Sequence, residues 1–399
     1  MNKNIKLAVA GAVLALSAAS ANAGIIIPAG EWTMDINGNV NAFANWTKAK
    51  GPESSGNNVI TGGEVPARQA HEDNILGINT GLLPAWLGFT GTTRQNDLDV
   101  SFTISMQPNV SDNFSHGDAK TPLNRQAFVT LGDKSWGSVK LGKDIGIFAS
   151  DAILNDMTLL GVGAGAATSG AATTLGGIGF GYIYAGWKGQ VSYTTPNFNG
   201  FQATVGITNP NQASGATLAA ASAVYQERFG LEGKASYAFG ADNFSGKLWV
   251  SGATYEIQQT TTVANSATAA DIGATINAGN LGLTGYYYRG DGAGTTVFGG
   301  NGADTAGQKR NSDGGYLQAT YKLPTNTKLG VAYGQSSLDK VGGEANTLVK
   351  ENSRITIGLY HPLTKHLNLV AEYNDTSSKN HFNVERTANS GSLGAILFF

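Results

Sequence analysis

Residues 32–46 read Trp32-Thr33-Met34-Asp35-Ile36-Asn37-Gly38-Asn39-Val40-Asn41-Ala42-Phe43-Ala44-Asn45-Trp46. Trp32, Met34, Ile36, Val40, Ala42, Ala44 and Trp46 share one parity; Thr33, Asp35, Asn37, Asn39, Asn41 and Asn45 share the other. Successive side chains of a strand point to opposite faces, so this stretch predicts a strand with one apolar and one polar side. Leu98, Val100, Phe102, Ile104 and Met106 alternate in the same way with Asp99, Ser101, Thr103, Ser105 and Gln107. Further copies lie at 201–207, 228–239, 316–323, 328–333, 354–359 and 367–373. A helix needs a spacing of 3.6, which no long segment shows.

The connections alternate in length. Short turns rich in turn formers lie at Asp133-Lys134-Ser135, Pro196-Asn197-Phe198-Asn199, Gly240-Ala241-Asp242 and Pro324-Thr325-Asn326-Thr327. Between them run long polar or Gly-rich stretches at about 47–73, 108–123, 144–181, 208–224, 257–269, 290–313, 337–351 and 376–390. Eight long loops between alternating turns imply sixteen strands. Short turns on one rim and long loops on the other describe an all-β, antiparallel transmembrane barrel. A β-sandwich rarely needs so many strands in one domain, and a solenoid would show a fixed repeat that this chain lacks. Trp32, Trp46, Tyr237, Phe239, Tyr321, Tyr333 and Tyr373, near strand ends, suit the aromatic girdles of a lipid-embedded wall.

Composition removes other classes. Charged residues make up 14% of the 399, with 26 basic against 28 acidic, which disfavours nucleic-acid binding and a charged disordered tail. The absence of Cys excludes disulfide frameworks, Cys-ligated metals and thiol nucleophiles. Gly numbers 55 without a G-X-Y period, so the chain is not collagen-like. Lys3 and Lys6 precede an apolar run at 7–16 and the ending Ala21-Asn22-Ala23, the pattern of an export signal peptide. Residues 1–23 are therefore expected to be removed, leaving a single barrel domain over 24–399. About eight residues separate Gly24 from the first strand, too few for a plug domain. With apolar faces outward, sixteen strands enclose a lumen too wide for side chains to fill, and small hydrophilic solutes and ions are expected to pass.

Three segments carry a family likeness. Asn124-Arg125-Gln126-Ala127-Phe128-Val129-Thr130-Leu131 with Val139-Lys140-Leu141-Gly142-Lys143 resembles the fourth and fifth strands of trimeric Gram-negative porins of the neisserial and β-proteobacterial type. Val191-Ser192-Tyr193-Thr194-Thr195-Pro196-Asn197-Phe198-Asn199-Gly200-Phe201 resembles their strand–turn–strand. Tyr360-His361-Pro362-Leu363-Thr364-Lys365-His366, continuing to Glu372-Tyr373, resembles the hairpin before their final strand, and Phe399 closes the sequence as in the family. Where the family usually has Ser-Arg-Leu-Gly-Phe, this chain has Ala85-Trp86-Leu87-Gly88-Phe89, without the basic residue.

The resemblance implies a homotrimer in the bacterial outer membrane, among lipids and lipopolysaccharide. It implies that the barrel assembly machinery reads the terminal aromatic Phe399. It also implies an inward-folded third loop, here about Asp144–Gly181, whose only charges are Asp144, Asp151 and Asp156. Arg125 and Lys143 match family constriction residues, although both share the apolar parity of their strands. Lys140 takes the polar parity opposite Val139 and Leu141, which points to the lumen. Asp151 and Asp156 either face the pore or serve packing within the loop. Opposed charges across a narrow water column would order solutes by charge.

No cofactor or metal is expected: none of His71, His116, His361, His366 and His381 has a second histidine at helix or strand spacing, and His361 and His366 sit in an expected turn. Gly176-Gly177-Ile178-Gly179-Phe180-Gly181 lacks the Lys-Ser/Thr of a phosphate loop. A diffusion channel is the leading expectation; a substrate-specific channel and an outer-membrane barrel enzyme are the alternatives.

Overall fold

The computed structural model describes residues 24–52, 55–66, 74–108, 110, 123–165, 173–209, 227–258 and 263–399. The expected signal peptide lies outside them.

Alternating residues form strands along the whole described chain: β1 (Ile25–Ala29), β2 (Trp32–Lys50), β3 (Asn74–Asn79), β4 (Trp86–Gln95), β5 (Leu98–Gln107) and β6 (Leu123–Asp133). There follow β7 (Gly137–Ile145), β8 (Trp187–Thr194), β9 (Phe201–Thr208), β10 (Gly230–Ala241), β11 (Phe244–Gln258) and β12 (Ala264–Ala278). The last are β13 (Leu281–Asp291), β14 (Asn311–Lys322), β15 (Lys328–Leu338), β16 (Val349–Pro362), β17 (Leu367–Asn380) and β18 (Glu385–Phe398). Each pairs antiparallel with its neighbour, and β18 returns to β2 from Thr387↔Lys50 to Phe398↔Asn39. β3 and β4 lie end to end along one edge of β2, at Phe43–Lys48 and Thr33–Asn39. β1 and β18 lie end to end along the other. The wall is therefore a closed barrel of sixteen positions, which leaves no long edge open to other chains.

Two loop expectations change. Residues 264–269 belong to β12, and most of 376–390 continues β17 and β18, whose connection is only residues 381–384. Both stretches are Ser-, Thr-, Ala- and Asn-rich on both faces, so apolar alternation does not announce them as strands.

Outward residues are large and apolar: Val40, Leu76, Ile104, Val205, Leu317 and Leu393 are all exposed. Of the expected outward small residues of β2, Ala42 and Ala44 are exposed, while Gly38 is covered by the Phe399 ring. The inner face departs from the expected polarity. Trp249, Tyr255, Tyr286, Tyr288 and Tyr316 point inward and are buried, because residues 146–165 and 173–186 fold into the barrel and pack on them through Phe148, Ala152, Ile153, Tyr182 and Ile183. Farther along the same loop, Val162 joins Phe43, Leu83, Trp86, Tyr360, Val370 and Phe398 on another part of the wall. The loop thus crosses the interior.

Candidate channel constriction

The whole excursion hangs from one ladder pair. Ile145 stands opposite Trp187, and the Gly146 N–H donates to the Gly186 carbonyl at 2.8 Å. A loop without regular structure leaves backbone donors that need partners once buried. Two wall carboxylates take them. Glu232 on β10 accepts the N–H groups of Ile147 and of Phe148 (3.1 Å), while Lys188 and the Tyr255 hydroxyl donate to its other oxygen. Glu372 on β17 accepts the N–H groups of Val162 (3.0 Å) and Gly163 (2.7 Å), and the Tyr360 hydroxyl (2.7 Å). The loop is clipped to the wall near its start and again at Val162–Gly163.

Between the clips, Ala149 adopts φ 59 and starts α1 (Ser150–Leu154). Asp151 in that turn pairs with Lys234 of β10 at 2.9 Å and with Lys247 of β11. Burial alone would raise the Asp151 pKa, but the two ammonium groups outweigh it and hold the carboxyl below its usual 3.8. Asp156 caps the next turn, accepting the N–H (2.9 Å) and hydroxyl (2.8 Å) of Thr158. It also accepts the Tyr182 hydroxyl at 2.9 Å and lies 3.5 Å from the Arg354 guanidinium of β16.

Of the residues singled out in the sequence, Lys140 and Asp144 meet as an ion pair on the inner face of β7, where Gln126 also donates to Asp144 at 3.0 Å. Lys143 does not join them. Strand β7 runs unbroken to Ile145, so alternation puts Lys143 on the outer face with Leu141, where it donates to the Asn124 carbonyl at 2.8 Å. Arg125 sits in a bulge of β6, between Ser105↔Gln126 and Met106↔Asn124, with its guanidinium 5.9 Å from the Trp187 ring centroid. The carboxylates of the loop's middle meet Lys234, Lys247 and Arg354 instead of Arg125 and Lys140. These three, with Glu232, Lys188 and Glu372, escaped the sequence reading. Glu232 and Lys234 do carry lumen parity in β10, but which wall the loop meets is a long-range fact. Trp86, at the family's basic position, is buried and packs edge-on to Phe398.

A model of the Gram-negative porin family matches residues 9–381. The chain belongs to that family. It is an outer-membrane channel for passive diffusion. A search of curated proteins found no match. Among solved structures, the porin resembles the outer membrane channel DcaP of Acinetobacter baumannii at 15% identity and TM-score 0.68, over 94% of this chain and 100% of that one. It resembles an anion-selective porin from Comamonas acidovorans at 16% identity and TM-score 0.63, over 92% and 100%. It also resembles OmpT, an outer membrane protein of Vibrio cholerae, in its trimer form, at 12% identity and TM-score 0.57, over 92% and 99%. At such identities the likeness is one of fold.

Among the described residues the porin's histidines do not cluster: His361 Nδ1 meets the Thr327 hydroxyl at 2.9 Å and His381 Nε2 meets the Leu338 carbonyl at 3.1 Å. His71 and His116 lie outside the described residues. Gly176, Gly179 and Gly181 all have positive φ, so this Gly-rich run makes tight turns within the loop.

Proposed function

We propose that this porin is a general diffusion channel for small hydrophilic solutes and ions, narrowed between the inward loop and the wall of β7–β11. Lys140, Asp144, Asp151, Lys234 and Lys247 line that constriction; Asp156 with Arg354 anchors the loop beside it; Arg125 flanks it; Lys143 lies outside it. The observation that carries the reading is an imbalance of exposure. The side chains of Lys140, Lys234 and Lys247 remain 22, 17 and 33% exposed, while those of Asp144 and Asp151 are 0 and 5% exposed. Two cations share Asp151, so the water column meets net positive charge. Unit charges roughly 8 Å apart at an effective dielectric near 20 interact by about 2 kcal/mol, enough to favour anions severalfold.

Glu232, Glu372, Asp151 and Asp156 are occupied in holding the loop, which suits a pore rather than catalysis. The exposed Ala42 and Ala44 of β2 suit close approach of a neighbouring wall, and the trimer form of the Vibrio protein has this fold. We read the assembly as a homotrimer among outer-membrane lipids and lipopolysaccharide, inserted by the barrel assembly machinery through Phe399. Reconstitution in planar bilayers tests the channel reading. A reversal potential in a salt gradient should show anion preference, reduced by Lys234→Gln and Lys247→Gln together. Preference for cations in the unaltered protein would refute the charge argument.

A further inference from the structure

β3 ends at Asn79, opposite Phe43, and β4 begins at Trp86, opposite Asn39. A continuous strand would cover that step with three residues, facing Ala42, Asn41 and Val40. The chain uses six, Thr80-Gly81-Leu82-Leu83-Pro84-Ala85, so three are surplus. An ordinary bulge absorbs one extra residue; an excess of three has to leave the plane of the wall. It turns inward. The Asn39 side chain donates to the Pro84 carbonyl at 2.9 Å. The Asn41 side chain donates to the Leu83 carbonyl at 3.1 Å and accepts the Gly81 N–H at 2.9 Å. Two polar residues of the inner face of β2 thus satisfy the backbone of a segment that has left its ladder.

The inturned segment meets the inward loop. The Leu82 N–H donates to the Gly161 carbonyl at 2.8 Å, and the Thr174 N–H donates to the Gly81 carbonyl at 3.2 Å. Approach at Gly81 is so close that a Cβ there would lie 2.2 Å from the Gly161 oxygen and 2.7 Å from the Phe43 ring. Leu82 packs with Phe148 and Tyr182, and Leu83 with Val162, Tyr360 and Phe398. Every residue from Thr80 to Trp86 is buried. The contact continues through Val162 and Gly163 to Glu372 of β17. Side chains packed in this way leave few voids that admit a water molecule. Across the loop, Lys140, Lys234 and Lys247 stay partly exposed.

We propose that residues 80–85 are a second jaw of the constriction, carried by the wall, which closes the lumen between the inward loop and β17, β18 and β2. Solutes are thereby confined to the side of Lys140, Lys234 and Lys247. The three surplus residues set the width of the channel: with a continuous β3–β4 strand, the lumen beside Asn39 and Asn41 would be open and polar. This rests on the constriction proposed above and adds the residues that make it one-sided.

The chain has no Cys, so single cysteines report which surfaces the conducting water reaches. Lys247→Cys and Leu83→Cys are each recorded in planar bilayers while an anionic methanethiosulfonate is added. The current through Lys247→Cys should fall on modification, and that through Leu83→Cys should not change. A fall in both at similar rates overturns the jaw and leaves the lysine side standing as a path. An inert Lys247→Cys overturns the constriction reading itself, and the jaw with it. A deletion of Leu82-Leu83-Pro84 gives the second readout. It leaves Thr80, Gly81 and Ala85 to face Ala42, Asn41 and Val40, which joins β3 to β4 in register. In liposome swelling, entry of a trisaccharide relative to a pentose should rise severalfold over the unaltered protein. An unchanged ratio from the heat-modifiable, folded variant overturns the proposal; should the deletion not fold, the cysteine readout decides by itself.

Discussion

Asp151 and Asp156 look alike in the sequence, yet their surroundings give them different work. Asp151 faces two lysines that reach water, so on the proposed path neutralising it leaves charge where ions pass. Asp151→Asn should move the reversal potential further toward anions, and an unchanged potential would place the conducting path elsewhere. Asp156 faces Arg354, whose side chain is 1% exposed, so its loss strands a buried cation. Breaking one partner of such a pair costs roughly 3–5 kcal/mol. Asp156→Asn should therefore loosen the loop, raising open-channel current noise and protease access near 157–165 with little change of selectivity. pH separates the two kinds of effect. The pKa of Asp151 is lowered on folding, so its tether contributes in full above the ordinary value of 3.8 and is lost as pH falls through the folded value below that. Current noise at pH 5 should match that at pH 7 and rise only well below pH 4. A rise already at pH 5–6 would assign loop control to another group.

Among the elements, the inward loop depends on backbone geometry as much as on charge. Gly163 (φ 61) and Gly176 (φ 56) form a close bridge, and a Cβ on Gly163 would strike the Gly176 backbone and the Arg354 guanidinium. Gly163→Ala is strained both by conformation and by contact. It should increase proteolysis within the loop while the barrel keeps its heat-modifiable mobility. Equal resistance of variant and parent would show that the bridge is dispensable. The same contrast explains what was legible beforehand. Strand parity lies in residues two apart, so β2, β5, β9, β10 and β14–β17 could be read from the chain, and Lys140 could be placed inward. The start of β12 could not, because 264–269 is small and polar on both faces. Lys143 could be misjudged only by supposing that β7 ends early. The cationic partners of Asp151 and Asp156 lie 83 to 198 positions away, on strands chosen by how the loop crosses the barrel, and no local pattern carries that.

For the molecule as a whole, the apolar outer wall and the anchored inner loop are separable. The wall closes through its own ladder of sixteen positions, and the loop leaves and rejoins that ladder at Ile145↔Trp187. Joining Gly146 directly to Gly186 would leave a two-residue Gly-Gly turn between those strands, a length that suits a β-hairpin. Single-channel conductance of this shortened protein beside the unaltered one tests the central claim, a water-filled pore restricted by the loop. The unaltered protein should give discrete, ohmic steps, and the shortened one steps several times larger with weaker charge preference. Steps of equal size, or no conductance from either folded protein, would contradict the account.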